Sequence, residues 1–298
     1  MPEARPATPV EGASSRPLPP PPPLLAACAA VTAVGVACYL WPSPVPGERL
    51  LVLACLVAFW ALTAAALWRW PALRLFTIGI GIIQLFPIRS GLTRGAILAI
   101  LAALWLGLAI ANRPRPSTAI VILAAPLLVA ALLLLPGRPV PQAALAREYV
   151  RSLTPYRGAV YIWGGENRVG IDCSGLVRCG WIDANLRVGL RTANPAPLRA
   201  ALWTWLHDCS ARDLGDGYRG RTRPVSAVRS LNRADYGVLR TGDIAVSESG
   251  LHTLAYLGGG EWIEAEPVLN GVKRVRIPAR GDIWFDSPMR IVRWRALE

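Results

Sequence analysis

The sequence predicts an α-helical membrane region followed by an α+β domain, and three observations carry that reading. Residues 24–136 hold only 8 charged side chains in 113 positions, whereas residues 140–298 hold 38 in 159. The first stretch breaks into long uncharged apolar runs. The second has one long helix-compatible segment, then short β-branched and aromatic segments separated by glycine-containing turns. This partition excludes a single soluble globule of 298 residues, and six irregularly spaced cysteines exclude a disulfide scaffold.

Residues 1–23 contain nine prolines, ending in the run Pro19–Pro23, and predict a disordered or polyproline II tail. Five apolar runs follow, at 24–41, 50–68, 75–88, 95–111 and 117–137. A spanning helix needs about 20 apolar residues, with about 17 as the short limit. The first, second and fifth meet that length and the fourth is marginal. The third contains Gln84 and Pro87, and either spans with Arg74 snorkelling or re-enters. The region 24–137 thus carries four or five transmembrane helices, five being preferred. The first run is not expected to be a cleaved signal, because its polar start is long and lacks net positive charge, and more spans follow. Leu25–Cys28 resembles a lipoprotein box, but the apolar run follows it instead of preceding it. Cys28, Cys38 and Cys55 lie inside apolar runs and read as packing residues.

The net charge of +13 comes almost entirely from arginine, Lys273 being the only lysine. Half of the excess lies outside the C-terminal part, beside the apolar runs, where arginine sets topology; nucleic acid is not an expected partner. With five spans the inner side holds Arg5, Arg16, Arg69, Arg74, Arg113 and Arg115, against Arg49, Arg89, Arg94 and Arg138 outside. That count favours a cytoplasmic tail and an exported C-terminal domain; four spans would place the domain in the cytoplasm.

Pro136, Pro139 and Pro141 mark a stiff linker into the domain at 138–298. A short amphipathic helix is expected from Gln142 to about Leu153, and a second from Cys173 to about Leu186. Residues 187–240 are rich in Arg, Pro and Gly, with one helix near 197–208. Strands are expected at Asp243–Val246, His252–Leu257, Glu261–Ala265, Val272–Ile277 and Met289–Trp294.

Cys173 at a helix N-terminus feels the positive end of the helix dipole, which favours a thiolate, and its N–H points where an oxyanion would form. Asp172 caps this helix and Gly175 keeps its start slim. A nucleophilic cysteine needs a base, and the chain has two histidines. His207 lies in a Trp-rich segment that suits packing, so His252, at a strand start after Ser249-Gly250, is the better base. A hairpin centred on Gly258 sets Glu264 opposite His252; centring on Gly259 selects Glu266, and a two-residue turn selects Ala265. Trp163 reads as a core aromatic. Cys179 and Cys209 read as structural, with a disulfide left open, and no Cys or His spacing suits zinc. No metal or organic cofactor is implied.

Tyr161-Ile162-Trp163-Gly164-Gly165, then Asp172-Cys173-Ser174-Gly175-Leu176-Val177, then Gly242-Asp243, and His252 with Tyr256-Leu257-Gly258 resemble the NlpC-type cysteine peptidases, papain-like bacterial cell-wall endopeptidases. The resemblance covers roughly residues 142–295. It implies a papain-like fold, Cys173 as nucleophile, His252 as base, Tyr161 as a substrate-site hydroxyl and Glu264 at the histidine-orienting third position. The family usually places His, Asn or Gln there, and more often reads H-V-G-I-Y where this chain has His252-Thr253-Leu254-Ala255-Tyr256. The implied partners are peptidoglycan stem peptides, beside the lipid bilayer. Two other readings stand: an inactive peptide-binding module on a membrane anchor, and a cytoplasm-facing thiol amidase or acyltransferase.

Overall fold

The computed structural model describes Thr32, residues 48–67 and residues 70–298. The proline tail and the apolar run at 24–41 therefore lie outside the described residues, Thr32 apart. Four apolar helices come first: α1 (Glu48–Ala66), α2 (Pro71–Leu85), α3 (Gly91–Ala111) and α4 (Pro116–Leu134). Each break has a local cause. Pro71 and Pro116 occupy the first helical turn, where a missing N–H costs nothing. Ser90 caps α3 by accepting from the Thr93 N–H. The helix α2 starts four residues before the expected run and stops at Leu85, ahead of Pro87.

Helices α3 and α4 are long and apolar enough to cross a membrane by length and composition, whereas α2 and the apolar stretch Ala54–Ala65 are shorter. Nothing in α4 is buried; it exposes Leu127, Leu128, Leu132 and Leu134. Short connections make successive helices alternate in direction. The α1–α2 turn, with Leu67 and Leu73, accordingly packs beside Leu104 and Leu108 near the end of α3.

The chain then builds α5 (Gln142–Leu153), the two-residue strands β1 (Val160–Tyr161) and β2 (Gly170–Ile171), and α6 (Cys173–Thr192). There follow α7 (Pro195–Leu206), α8 (Ala211–Gly215), β3 (Thr222–Val228), β4 (Ile244–Ser247), β5 (Thr253–Gly258), β6 (Glu261–Glu266) and β7 (Gly271–Arg276). The last elements are α9 (Ile283–Asp286) and β8 (Met289–Trp294). The eight strands form one sheet in the order β2-β1-β7-β6-β5-β4-β8-β3, antiparallel except for β1 against β2. This is an α+β unit behind a helical N-terminal region.

Each sheet face has its own core. Leu176 and Val177 of α6 and Tyr149 and Leu153 of α5 pack against Ile244, Ala255, Ile263 and Val292. On the other face Leu254, Tyr256, Trp262 and Ile291 are covered by Leu231, Leu239 and Phe285. Fully burying a Leu or Ile here is worth about 1.5–3 kcal/mol. The long segment 187–240 is therefore structural. It supplies α7, α8 and the edge strand β3, then lays Leu231 to Leu239 over the second face. The sequence pattern missed β3, whose Pro224 and bulge between Pro224 and Ser226 disguise its alternation. It also stopped α6 six residues early; the helix ends only where Ala193 turns left-handed.

Asp243 and Arg293 form a fully desolvated two-point pair across β4 and β8, with Nε–Oδ1 at 2.6 Å and Nη2–Oδ2 at 2.8 Å. Asp243→Ala leaves the guanidinium buried without its carboxylate and is expected to cost about 3–5 kcal/mol. Urea unfolding of the full chain in detergent checks this; an unchanged midpoint would mean the pair is dispensable.

Candidate active site

Asp172 sets the geometry of the α6 N-terminus. Its Oδ1 accepts from the Gly175 N–H at 2.6 Å and its Oδ2 from the Gly164 N–H at 2.7 Å, so one carboxylate fixes both motif blocks. A Cβ on Gly175 would overlap the Gly165 carbonyl oxygen, so only glycine lets the two blocks approach. The result holds Cys173, buried at 6% exposure, at the wall of a cleft of about 620 Å³.

The sulfur lies against the start of β5. Cys173 Sγ is 3.9 Å from the Leu251 carbonyl oxygen, and the backbone N–H groups of Thr253, Ser174 and Cys173 itself lie close enough to favour negative charge on it. It thus touches backbone on both sides of His252. Burial pushes the thiol up to about 12, the Asp172 carboxylate adds to this, and the three N–H groups pull the other way without prevailing. Burial thus works against the helix terminus, and at this site the two pull the thiol in opposite directions.

His252 is 1% exposed, stacks on Trp284 at 4.2 Å between ring centroids, and bonds Glu264 Oε2 through Nε2 at 2.7 Å. The register behind this pair differs from the arithmetic that suggested it. Ala255 pairs with Ile263 and Tyr256 with Trp262, which centres the hairpin on Gly259 and sets residue 266, not 264, opposite 252. Gly258, Gly259 and Gly260 all have positive φ, and the register shifts between Tyr256 and Gly258. Glu264 reaches the imidazole along the diagonal, from opposite Leu254. Glu266 instead accepts the Val268 and Leu269 N–H groups and stays within its own turn.

Sequence reasoning passed over three neighbours. Lys273 Nζ stands 3.3 Å from Glu264 Oε1 and donates to Asp282 Oδ2 at 2.9 Å. Burial opposes its charge, but the Asp282 and Glu264 carboxylates hold the ammonium above its ordinary range. Trp284, the third, forms the imidazole's stacking platform. The available signal was Lys273 itself, the lone lysine, directly opposite Glu264 across β6 and β7.

Tyr161 is half-buried in the same cleft; burial, then the nearby Cys173 and Asp172, raise its phenol above the ordinary range. Trp163 is corrected: it is 82% exposed on the cleft rim and packs no core. His207 stacks on Trp203 and stands apart from the His252 pair. Cys179 donates to the Glu166 carbonyl at 3.3 Å, and both it and Cys209 are free thiols.

The fold and cleft define a class: an α+β unit that brings a helix-terminal cysteine to a carboxylate-bound histidine on a sheet. No protein-family profile and no curated protein matches the chain. Among solved structures it is similar to an NlpC/P60 family protein from Bacillus cereus ATCC 10987, with 20% identity over 49% of this chain and 39% of that one, TM-score 0.31. It is similar to the NlpC/p60 domain of the peptidoglycan hydrolase SagA, with 23% identity over 51% and 98%, TM-score 0.28. It is also similar to the peptidoglycan hydrolase RipB from Mycobacterium tuberculosis, with 23% identity over 64% and 90%, TM-score 0.32. The chain spans about two-fifths of the first of these. Likenesses of this size carry no function across to it.

Alkylation of Cys173 by iodoacetamide, followed by peptide mass spectrometry, is expected to accelerate about tenfold per pH unit from pH 7 to 10. A plateau reached below pH 8 would instead mean a resting thiolate.

Proposed function

We infer that the protein is a membrane-anchored cysteine hydrolase of cell-wall stem peptides. The observation that carries this is the Cys173 sulfur lodged between backbone groups flanking a histidine already bound to a buried carboxylate. With Glu264 on Nε2, that nitrogen carries the proton and the Nδ1 lone pair is the base. The Cys173 proton passes to Nδ1 as sulfur attacks the amide carbonyl, and the N–H groups at the α6 terminus stabilise the oxyanion. The imidazolium, steadied by Glu264, protonates the leaving amine and leaves a thioester. His252 then deprotonates water, whose attack releases the carboxylate and restores the thiol. Tyr161 acts as a substrate-side hydroxyl in the cleft. The motif resemblance supports wall peptides as the substrate.

Anchoring rests on the four apolar helices. Their far end carries Arg74, Arg113 and Arg115 without an acid among the described residues. At the near end Arg94 is paired with Glu166, whereas the Arg89 and Arg138 side chains bond carbonyls and keep their charge. Three uncompensated arginines at the far end against these two favour export of the α+β unit.

Full-length protein in detergent, incubated with defined muropeptides, is expected to yield new fragments by mass spectrometry. Cys173→Ala should yield none, and His252→Ala should be slower by about 10²–10⁴-fold. Fragments from the Cys173 variant would sink the mechanism; none from folded wild type would favour a binding module. A C-terminal alkaline phosphatase fusion is expected to be active, and an inactive fusion would reverse the topology.

A further inference from the structure

The cleft beside Cys173 is not made by the α+β unit alone. Its wall includes Ile88, Arg89 and Ser90, from the five-residue connection between α2 and α3. That connection is joined like a strand to the segment between the two motif blocks. Ile88 bridges Gly165, the Arg89 N–H donates to the Gly164 carbonyl at 3.1 Å, and the Glu166 N–H donates to the Pro87 carbonyl at 2.9 Å. Asn167 Nδ2 adds a bond to the Phe86 carbonyl at 3.0 Å. Beneath them Arg94, in the first turn of α3 and 2% exposed, donates to Glu166 at 2.7 Å. Glu166 also binds Arg178 of the cysteine helix.

The depth of this contact follows from helix length. The 21 residues of α3 rise about 30 Å, matching a hydrocarbon core of about 30 Å. Its N-terminus at Gly91 therefore marks one bilayer surface, and Glu166 reaches the level of its first turn. At the other contact Arg199 of α7 donates to the Leu133 and Leu135 carbonyls at the end of α4. The α+β unit thus sits directly on the ends of α3 and α4. The cleft rim carries Trp163 at 82% and Leu251 at 74% exposure, with Phe86 at 56% where the connection begins. Exposed aromatic and aliphatic groups at this level suit the interface between headgroups and acyl chains.

Resting on the hydrolase reading above, we propose that the cleft takes a peptide amide presented by a membrane-anchored amphiphile, joined to its lipid by a short polar connection. The substrate is then the peptide head of a lipid-linked molecule in the same leaflet, not a peptide held away from the membrane in finished wall. The Ile88–Ser90 connection serves as the wall that admits it from the bilayer side.

Tether length tests this. Full-length protein in nanodiscs is given one stem peptide in three forms: free, joined to a lipid by a linker of a few atoms, and joined by a long polyethylene glycol. Any tether raises local concentration, but a short one confines the peptide to the surface and reaches only a cleft that lies there. The short-tethered peptide is expected to be cleaved at least about tenfold faster than the long-tethered one. Equal or faster cleavage of the long-tethered form would overturn the proposal while leaving the hydrolase standing. Cleavage of none of the three, by protein whose Cys173 still alkylates, would remove both.

Discussion

Glu166 is the carboxylate on which the two halves of the chain close. Its side chain is 8% exposed, and desolvation pushes its carboxyl up, against the pull of Arg178 and then Arg94. Neither guanidinium could stay so far from water without it. Arg178 does more than neutralise: its other N–H groups bind the carbonyls of Thr204, Trp205 and His207, which lead into the wall formed by Asp208, Cys209 and Ser210. The start of α3, the cysteine helix and the loop after α7 are thus three arms on one ion cluster. A shift in any arm moves a wall of the same cleft.

Much of this was legible because it is local. The α5 boundaries follow from an amphipathic period, and the Asp172 cap follows from one carboxylate ahead of a helix start. Strands β4 to β8 lie within a residue or so of where alternation and glycine turns set them. The cysteine and histidine stood out because the chain holds a single motif-borne thiol and few imidazoles.

What escaped depends on contacts between residues far apart in the chain. Trp163 looks like a core residue by composition, yet it stands exposed beside the turn at Gly164 and the pairing of Gly165 with the α2–α3 connection. The link from Arg94 to Glu166 joins positions 72 apart, and nothing in either neighbourhood announces it. The hairpin arithmetic left Glu264, Glu266 and Ala265 open, and the motif resemblance chose Glu264; the ladder centres on Gly259, the register that arithmetic gave to Glu266, with three successive left-handed glycines and a register shift at the turn. Glu264 still meets His252 because a long carboxylate side chain tolerates a diagonal approach.

Glu264 in place of an uncharged third residue then finds its physical explanation in Lys273. A bare carboxylate at 0% exposure would set an uncompensated negative field in the interior. Lys273 stands on the other carboxylate oxygen and offsets that field, while Asp282 on the far side keeps the ammonium charged and in place. Viewed from His252, the row Glu264–Lys273–Asp282 behaves as an oriented acceptor of moderated charge. It supplies direction for Nε2, and in the proposed mechanism it steadies the ring that takes the Cys173 proton through Nδ1, while burial disfavours a free thiolate.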